Sequence, residues 1–463
     1  MPQLDGLRAI AVLVVMLHHF LPHVPDVLQV VGPMGVRVFF VLSGFLITGI
    51  LLNCRDRAEL SGSPPLGALK PFYIRRTLRI FPLYYFVILT GAIAGISGVT
   101  YGLGWHLTYT SNLWLAFVMK RWPEGVSHLW SLAVEEQFYA LWPALVLLAP
   151  RHLLLPLIGA FIVTGPLYRL MAVLLHWPLL ALVTPLPACL DTLGIGALLA
   201  YARHYRDDHP SLEENLRRMG IGIAGWVLLV ILAQEWRGVD VGLLNPVFRE
   251  TAMAGFGVWA VGAAADGVTG RFGWFLEQRP LLAVGKISYG LYLWHPIAMI
   301  AAPKVLARLG LEQVTWGSGG YVVALFVLTF LFATLSWHLL EKPINNFKNL
   351  FSYAGRGAKG RLQRRSKAER QVAYAAPDNH AERRAALDRR IVRERRLRHE
   401  RRTHRGVRIA GNRPFSRPSR LMAEKRLRRD RRVSATRRQD VERRDGPMPT
   451  AVEGPGLETV WGQ

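Results

Sequence analysis

An arginine and a histidine lie eleven residues apart in the first apolar stretch of the chain, which runs from Asp5-Gly-Leu-Arg8 to His18-His19. In an α-helix this spacing leaves the two side chains roughly 20° apart around the axis, with a rise of roughly 16 Å between them. A guanidinium binds phosphate or carboxylate, and an imidazole can act as a general base. One helix face therefore presents an anion-binding group and a base, although packing inside a bundle would explain His19 alone equally well.

A second pair of arginines, Arg76 and Arg79, is spaced three residues apart, so the two side chains share a helix face. A fork of guanidiniums is a natural receptor for phosphate groups. Together with Arg8, they would lie at one level on the cytoplasmic side. The alternative is that they are ordinary cationic anchors of a membrane span, which is the interpretation we prefer for Arg75.

Two adjacent carboxylates, Glu135 and Glu136, lie about one to two turns into another apolar stretch. Ionisable side chains are costly inside a membrane span, so they are typical of functional sites. We expect one of these carboxylates to pair with His19, orienting the imidazole and stabilising its charged form. The alternative is a structural role in which they satisfy other buried polar groups. Ser43 and Asp191 are further polar candidates.

Composition divides the chain into two regions. The 463 residues are 51% hydrophobic and include 14 Trp, yet the net charge is +25. From Gly355 to the end there are 32 Lys and Arg against 13 Asp and Glu, so most of the positive charge belongs to the tail. We therefore predict a membrane domain over residues 1–350 and an Arg-rich, disordered cytoplasmic tail over residues 351–463. Cys54 and Cys189 are too few for a disulfide framework and lack metal-ligand spacing, so no metal site is predicted.

The predicted fold is an all-α, polytopic transmembrane bundle of about ten helices. A bilayer core of roughly 30 Å needs about 20 apolar residues per helix. Ten segments fit: 7–22, 34–52, 80–98, 128–149, 153–175, 182–201, 218–236, 247–265, 284–302 and 319–340. The apolar piece from Leu113 to Met119 is assigned to a loop. Lys and Arg concentrate in the short loops on the same side of the membrane as the N-terminus. Loops rich in these residues are usually cytoplasmic, so both termini are predicted to be cytoplasmic.

The basic tail has several possible partners. Anionic lipid headgroups of the inner leaflet suit a segment of this charge. Nucleic acid is the alternative, but the tail shows neither aromatic residues between its arginines nor a recognisable binding fold. We therefore predict membrane lipid, and not nucleic acid, as its partner.

Taken together, these residues resemble the acyltransferase-3 family of membrane acyltransferases, which includes bacterial O-acetylases of lipopolysaccharide, peptidoglycan and exopolysaccharides. The resemblance covers about residues 1–350 and consists of short motifs in the order found in the family. The motifs are Leu4-Asp-Gly-Leu-Arg8 through His19, residues 39–45, Arg76-x-x-Arg79, Trp130-Ser-Leu-Ala-Val-Glu-Glu-Gln-Phe-Tyr139, residues 285–296 and Glu341-Lys-Pro343.

The resemblance implies a function and a location. It implies that His19 is essential and that Arg8, Arg76 and Arg79 serve the acyl-donor side. The donor would be acyl-coenzyme A, expected to be acetyl-coenzyme A, which acts as a co-substrate and not as a permanently bound cofactor. The acceptor would be a hydroxyl of a carbohydrate or similar molecule in the cell envelope, and the protein would lie in the bacterial cytoplasmic (inner) membrane. Many members add an extracytoplasmic SGNH hydrolase-like domain, of which we see no sign here.

Two other functions remain open on the sequence alone. A transporter or flippase would also carry charged residues along its path, but the internal repeats expected of many transporters are not evident. A non-catalytic scaffold would need the basic tail but not His19. The preferred hypothesis is a membrane-bound O-acyltransferase, with His19, Glu135 and Glu136 as catalytic residues.

Overall fold

The computed structural model describes residues 1–21, 26–205, 213–218, 220–222, 225 and 244–351. Within these ranges all regular secondary structure is helical, which confirms the predicted all-α class. Nine of the described helices have 18 residues or more: α1 (Pro2–Phe20), α2 (Asp26–Ser61), α3 (Leu69–Ile93), α4 (Leu129–Leu148), α5 (Arg151–Leu174), α6 (Leu186–His204), α7 (Leu244–Asp266), α8 (Ser288–Arg308) and α9 (Gly319–Ser336).

The described helices make the chain a multi-pass membrane protein. Five segments are long and apolar enough to cross a bilayer: Pro2–Phe20, Val31–Ser61, Arg151–Leu174, Leu179–His204 and Gly319–Leu350. The remaining long helices, α3, α4, α7 and α8, have 25, 20, 23 and 21 residues. The count of about ten spans stays a prediction. The predicted span 218–236 and the predicted tail 351–463 lie almost entirely outside the described residues.

Several predicted boundaries differ from the structure. Helix α2 (Asp26–Ser61), for example, extends beyond the predicted span 34–52 at both ends. Helix α3 begins at Leu69, eleven residues before the predicted start of the third span at residue 80. An apolar window marks the membrane core, whereas the helix continues past it through the basic residues. The segment from Leu113 to Met119, assigned to a loop, is helical instead: Ser111–Leu113 is followed by a π-helical stretch, Trp114–Met119. Trp114 is buried, which explains why this short apolar piece is ordered against the bundle.

Helix α2 is the central packing element, in contact with α1, α4, α6 and α7. Its crossing with α6 brings two backbones into direct contact. A Cβ atom at Gly44 would lie 2.0 Å from the carbonyl oxygen of Leu193, and one at Gly196 would lie 2.2 Å from that of Val41. Only glycine permits this approach, which is how small residues allow close packing between membrane helices.

A buried ion pair joins α5, α6 and α7. Arg169 and Asp191 are both fully buried, and Nη2 of the arginine donates to Oδ2 of the aspartate at 2.7 Å. The guanidinium also donates to the carbonyl oxygens of Val247 and Ala188, and Thr251 donates its hydroxyl hydrogen to Asp191. These bonds satisfy the charges of both residues within the core. Asp191, a candidate from the sequence, therefore has a structural role.

Candidate active site

Helix α1 positions the two groups that the sequence singled out first. It packs against α2 and α8 and against the short helix Arg279–Lys286, which precedes α8. The contact with the short helix is close, because a Cβ atom at Gly285 would lie 2.0 Å from the carbonyl oxygen of Asp5. The N-terminal turns of α1 and α8 are thereby held side by side. Two cavities open along this part of the bundle.

The first, the arginine cavity, has a volume of about 100 Å³ and lies between α1, α2, α3, α4 and α8. It brings together five of the six site residues predicted from the sequence. Its polar lining consists of Arg8, Ser43, Arg76, Arg79, Ser131, Glu135, Glu136, Tyr139, Ser288, Tyr289 and Tyr292. The three arginines line this one cavity, whereas their common level on the cytoplasmic side and their role in binding a ligand stay predictions.

The three arginines of this cavity differ in their partners. Arg8 forms an ion pair with Asp5, one helical turn before it. The guanidinium of Arg76 lies over the rings of Tyr139 and Phe72, with its carbon 5.2 and 5.9 Å from their centroids. Across the described part of the chain, neither Arg76 nor Arg79 has an ion-pair or hydrogen-bond partner. Two guanidiniums that line one cavity without a counter-charge bonded to them form a natural anion site.

The two glutamates lie in the arginine cavity, and this placement corrects the expectation that one of them pairs with His19. Glu135 accepts hydrogen bonds from Ser43 Oγ at 2.7 Å and from the hydroxyl of Tyr139 at 3.1 Å. One carboxylate oxygen of Glu136 is buried and has no hydrogen-bond partner within the described ranges. Helix α4 turns both carboxylates towards α2 and α3, and neither is bonded to His19 there.

The second cavity, the histidine cavity, has a volume of about 480 Å³ and contains His19. Its polar and aromatic lining consists of His18, His19, Arg37, Trp122, Ser127, His128, Trp130, Arg249, Glu250 and Tyr292. Val36 and Tyr292 line both cavities, so they form the boundary between them. The hydroxyl of Tyr292 is hydrogen-bonded to Ser131 Oγ at 2.7 Å and to the carbonyl oxygen of His128 at 3.3 Å. The predicted site residues are thus divided between two adjoining cavities.

His19 has a different partner from the one expected. Its Nδ1 atom lies 3.3 Å from Nε2 of His295, on α8. Nδ1 of His295 lies 2.7 Å from the carbonyl oxygen of Tyr292, in the preceding turn of the same helix. His295 is fully buried, whereas His19 is half-buried against the cavity. The motif at residues 285–296 contained this histidine, but the sequence assigned no role to it.

A buried arginine in the same cavity was missed by the sequence reasoning. Arg37 forms an ion pair with Glu250 of α7, and its guanidinium carbon lies 5.4 and 5.3 Å from the ring centroids of Phe40 and Trp130. The signal was present, since Arg37 falls inside the apolar segment 34–52 and an ionisable residue in a span is typical of a functional or buried polar cluster. Glu250 could not be identified as its partner without the packing of α7 on α2.

Within the described ranges, no three His, Cys, Asp or Glu side chains are arranged to hold a metal ion. Cys54 and Cys189 are both buried as free thiols, and Cys189 contacts Nη1 of Arg37 at 3.4 Å.

Several known proteins are similar to this chain. A peptidoglycan O-acetyltransferase, OatA, of Listeria monocytogenes is 28% identical over 390 residues, covering 76% of this chain and 57% of the relative. The O-acetyltransferase OatA of Staphylococcus aureus is 28% identical over 373 residues, covering 74% and 57%. A putative peptidoglycan O-acetyltransferase, YrhL, of Bacillus subtilis is 28% identical over 386 residues, covering 74% and 54%. The chain thus spans little more than half the length of these curated relatives. No solved structure matches it.

The family comparison covers most of the chain. The acyltransferase domain of the acyltransferase-3 family matches residues 1–338, a range that contains both cavities and all six predicted site residues. The motifs that suggested the resemblance fall within or directly beside this range. The chain therefore belongs to the acyltransferase-3 family.

Proposed function

We propose that the protein is a membrane-bound O-acyltransferase that moves an acyl group, expected to be acetyl, from acyl-coenzyme A to a hydroxyl of a glycan or lipid-linked sugar. The observation that carries this proposal is the pair of adjoining cavities. One contains three arginines, two of them without a bonded counter-charge among the described residues, and the other contains His19. An anion site beside a site with a base suits a polyanionic thioester donor and a neutral hydroxyl acceptor.

The arginine cavity supports binding of the donor. Coenzyme A combines a polyanionic nucleotide with a long, uncharged pantetheine arm. Arg8, Arg76 and Arg79 would bind its phosphates through charge-assisted hydrogen bonds. The rise along α1 from Arg8 to His19 is roughly 16 Å. An extended pantetheine arm covers such a span, so the thioester would reach the boundary between the cavities while the nucleotide stays with the arginines.

The histidine cavity supports the transfer step. His19 would take the proton of an acceptor hydroxyl as the oxygen attacks the thioester carbonyl carbon. The C–S bond then breaks, and the departing thiolate receives the proton from the imidazolium. Alternatively, His19 would first attack the thioester itself and pass the acyl group on from an acyl-histidine. Retention of label on the protein after reaction with the donor alone would favour this relay, and its absence would favour direct transfer.

The acceptor and the location are proposed from different observations. The relatives whose names include a substrate are peptidoglycan O-acetyltransferases, so we propose an envelope glycan as the acceptor here. The protein would lie in the bacterial cytoplasmic membrane with both termini inside, and the arginine cavity would face the cytoplasm. The tail 351–463 would contact anionic headgroups of the inner leaflet, since it carries most of the net positive charge.

The first experiment measures transfer of radiolabelled acetyl-coenzyme A to envelope glycans in membranes containing the wild type or His19→Ala. We expect label on the glycan with the wild type and a residual level, lower by roughly 10²-fold or more, with His19→Ala at equal protein levels, because this is the usual cost of removing a general base. His152→Ala is the matched control, since His152 is exposed at the start of α5 and lines neither cavity.

The outcomes separate the competing functions. Full transfer in His19→Ala would refute the assigned base. Transfer in none of the variants, combined with movement of a labelled solute or lipid across the membrane, would favour the transporter or flippase function instead.

A further inference from the structure

We infer that His295 is a positioning residue that holds His19 in the tautomer whose Nε2 atom is free to accept a proton. The inference rests on the proposed role of His19 and adds to it a residue that acts through His19 without contacting the substrate. It depends on the two hydrogen bonds that connect the backbone of α8, the ring of His295 and the ring of His19.

The ring hydrogen of His295 lies on its Nδ1 atom. A carbonyl oxygen can only accept, so the contact between Tyr292 O and Nδ1 of His295 requires the hydrogen to lie on Nδ1. His295 is fully buried, and no carboxylate is bonded to it in the described part of the chain. A buried ring without an opposite charge carries one hydrogen only, because an unpaired buried charge is costly. Nε2 of His295 therefore presents a lone pair.

The ring hydrogen of neutral His19 also lies on Nδ1. The lone pair on Nε2 of His295 faces Nδ1 of His19 at 3.3 Å. The hydrogen of a neutral His19 is thereby placed on Nδ1, from which it is donated to His295. The lone pair of His19 is then left on Nε2, the ring nitrogen that His295 does not contact. Since His19 lines the histidine cavity and is half-buried, this nitrogen remains available to an acceptor hydroxyl.

The same hydrogen bond stabilises the protonated form of His19. When Nε2 of His19 takes a proton, the ring becomes cationic and its Nδ1 hydrogen bond to His295 becomes charge-assisted, which strengthens it. The same contact thus orients the neutral base and stabilises its protonated form. This is the role that the sequence had given to Glu135 or Glu136. In catalytic triads the third residue performs it with a carboxylate, whereas here a neutral imidazole on a rigid helix performs it.

The geometry of α8 keeps His295 in place. Its ring lies against Phe20, His128 and Tyr292, with centroids 6.2, 5.3 and 5.6 Å away. The carbonyl oxygen that fixes its tautomer belongs to its own helix, three residues earlier. The orientation of His295 therefore does not depend on a mobile partner.

The test compares His295→Phe with His295→Gln in the full-length protein, using radiolabelled acetyl-coenzyme A and purified peptidoglycan fragments. Phenylalanine fills the volume of the ring without an acceptor, whereas the amide oxygen of glutamine can accept a hydrogen bond where Nε2 accepts it. We expect His295→Phe to lower kcat by roughly 10²-fold or more with the KM for the donor unchanged. His295→Gln should recover most of this loss.

A double variant separates positioning from folding. In a His19→Ala background, His295→Phe should cause no further loss, because His295 acts through His19. Equal losses in His295→Phe and His295→Gln, a raised KM for the donor, or a further loss in the His19→Ala background would overturn the inference. So would wild-type activity of His295→Phe when His19→Ala is inactive, which would leave the proposed function intact. Full activity of His19→Ala would refute both.

Discussion

Arg75, Arg76 and Arg79 lie within five residues on α3, yet their surroundings differ. Arg75 donates hydrogen bonds to the carbonyl oxygens of Lys348 and Phe351, each at 3.1 Å. Arg76 and Arg79 line the arginine cavity and lack bonded counter-charges across the described residues. Arg75 is thus engaged in holding the end of the bundle, whereas the other two remain available to an anion. This difference in surroundings agrees with the interpretation, preferred from the sequence, that Arg75 is a structural residue.

At this scale we predict that Arg76→Ala combined with Arg79→Ala weakens binding of the donor. Each charge-assisted hydrogen bond lost contributes roughly 1.5–3 kcal/mol. The KM for acetyl-coenzyme A should therefore rise at least tenfold, and the effect should be smaller at high salt. Steady-state kinetics over a range of donor concentrations measures it.

Arg75→Ala is the matched control, and it should leave the KM for the donor near the wild-type value. A double variant whose KM is unchanged would return Arg76 and Arg79 to the role of membrane anchors.

The sequence identified as site residues those whose charged or titratable side chains conflict with their apolar surroundings. His19, Arg8 and the glutamates stood out because charged or titratable groups are rare in apolar stretches. Their partners were not predictable. Whether Glu135 or His295 meets His19 depends on the rotation and tilt of α4 and α8 around α1, and a spacing along one helix does not determine the rotation of its neighbours.

Several helices lie close to the positions predicted from the apolar pattern of the sequence. The fourth and fifth predicted spans, 128–149 and 153–175, coincide within two residues with α4 (Leu129–Leu148) and α5 (Arg151–Leu174). Small residues in membrane helices are often packing contacts, and Gly196 is one, directly against the backbone of α2. The early start of α3 was not predictable from hydropathy, because helices extend beyond the membrane core.

The glycine contact between α2 and α6 leads to a prediction at the scale of elements. Gly44→Ala should destabilise the protein by about 1–3 kcal/mol, the usual range for overpacking, because the added Cβ atom meets a carbonyl oxygen of α6. Thermal unfolding in detergent, followed by the loss of monodisperse protein, measures this effect.

Gly49→Ala provides the control on the same helix, since a Cβ atom there meets nothing within 4 Å. It should be neutral or slightly stabilising, because alanine favours the helix by about 1 kcal/mol over glycine. Equal unfolding temperatures for the two variants would contradict the close crossing.

At the largest scale, the helical bundle formed by the described residues has two distinguishable ends. Helix α1 places Arg8 near one end and His19 towards the other, and α2 returns to the first end. The contact between Gly285 and Asp5 places the start of α8 at that end too. Residues 309–318, which follow α8, therefore lie at the opposite end from the residues that follow α2.

Labelling with a membrane-impermeant thiol reagent tests this arrangement. Ser63→Cys, exposed after α2, should react only when the cytoplasmic face is accessible, and Thr315→Cys should react from the outside. The native Cys54 and Cys189 are buried and should contribute little background. The reverse pattern would place the arginine cavity outside the cell and remove it from the cytoplasmic pool of acyl-coenzyme A.

The boundary formed by Val36 and Tyr292 has a bioenergetic consequence. Moving one elementary charge across an energised membrane releases about 2.3 kcal/mol per 100 mV, so a continuous aqueous path between the faces would dissipate the ion gradients of the cell. At this boundary the Tyr292 hydroxyl is hydrogen-bonded to Ser131 and to the carbonyl oxygen of His128, so its polar group is satisfied within the protein. Under the proposed function, an uncharged acyl group would pass this boundary while protons and metal ions are retained, so modification of the cell surface would not dissipate the ion gradients.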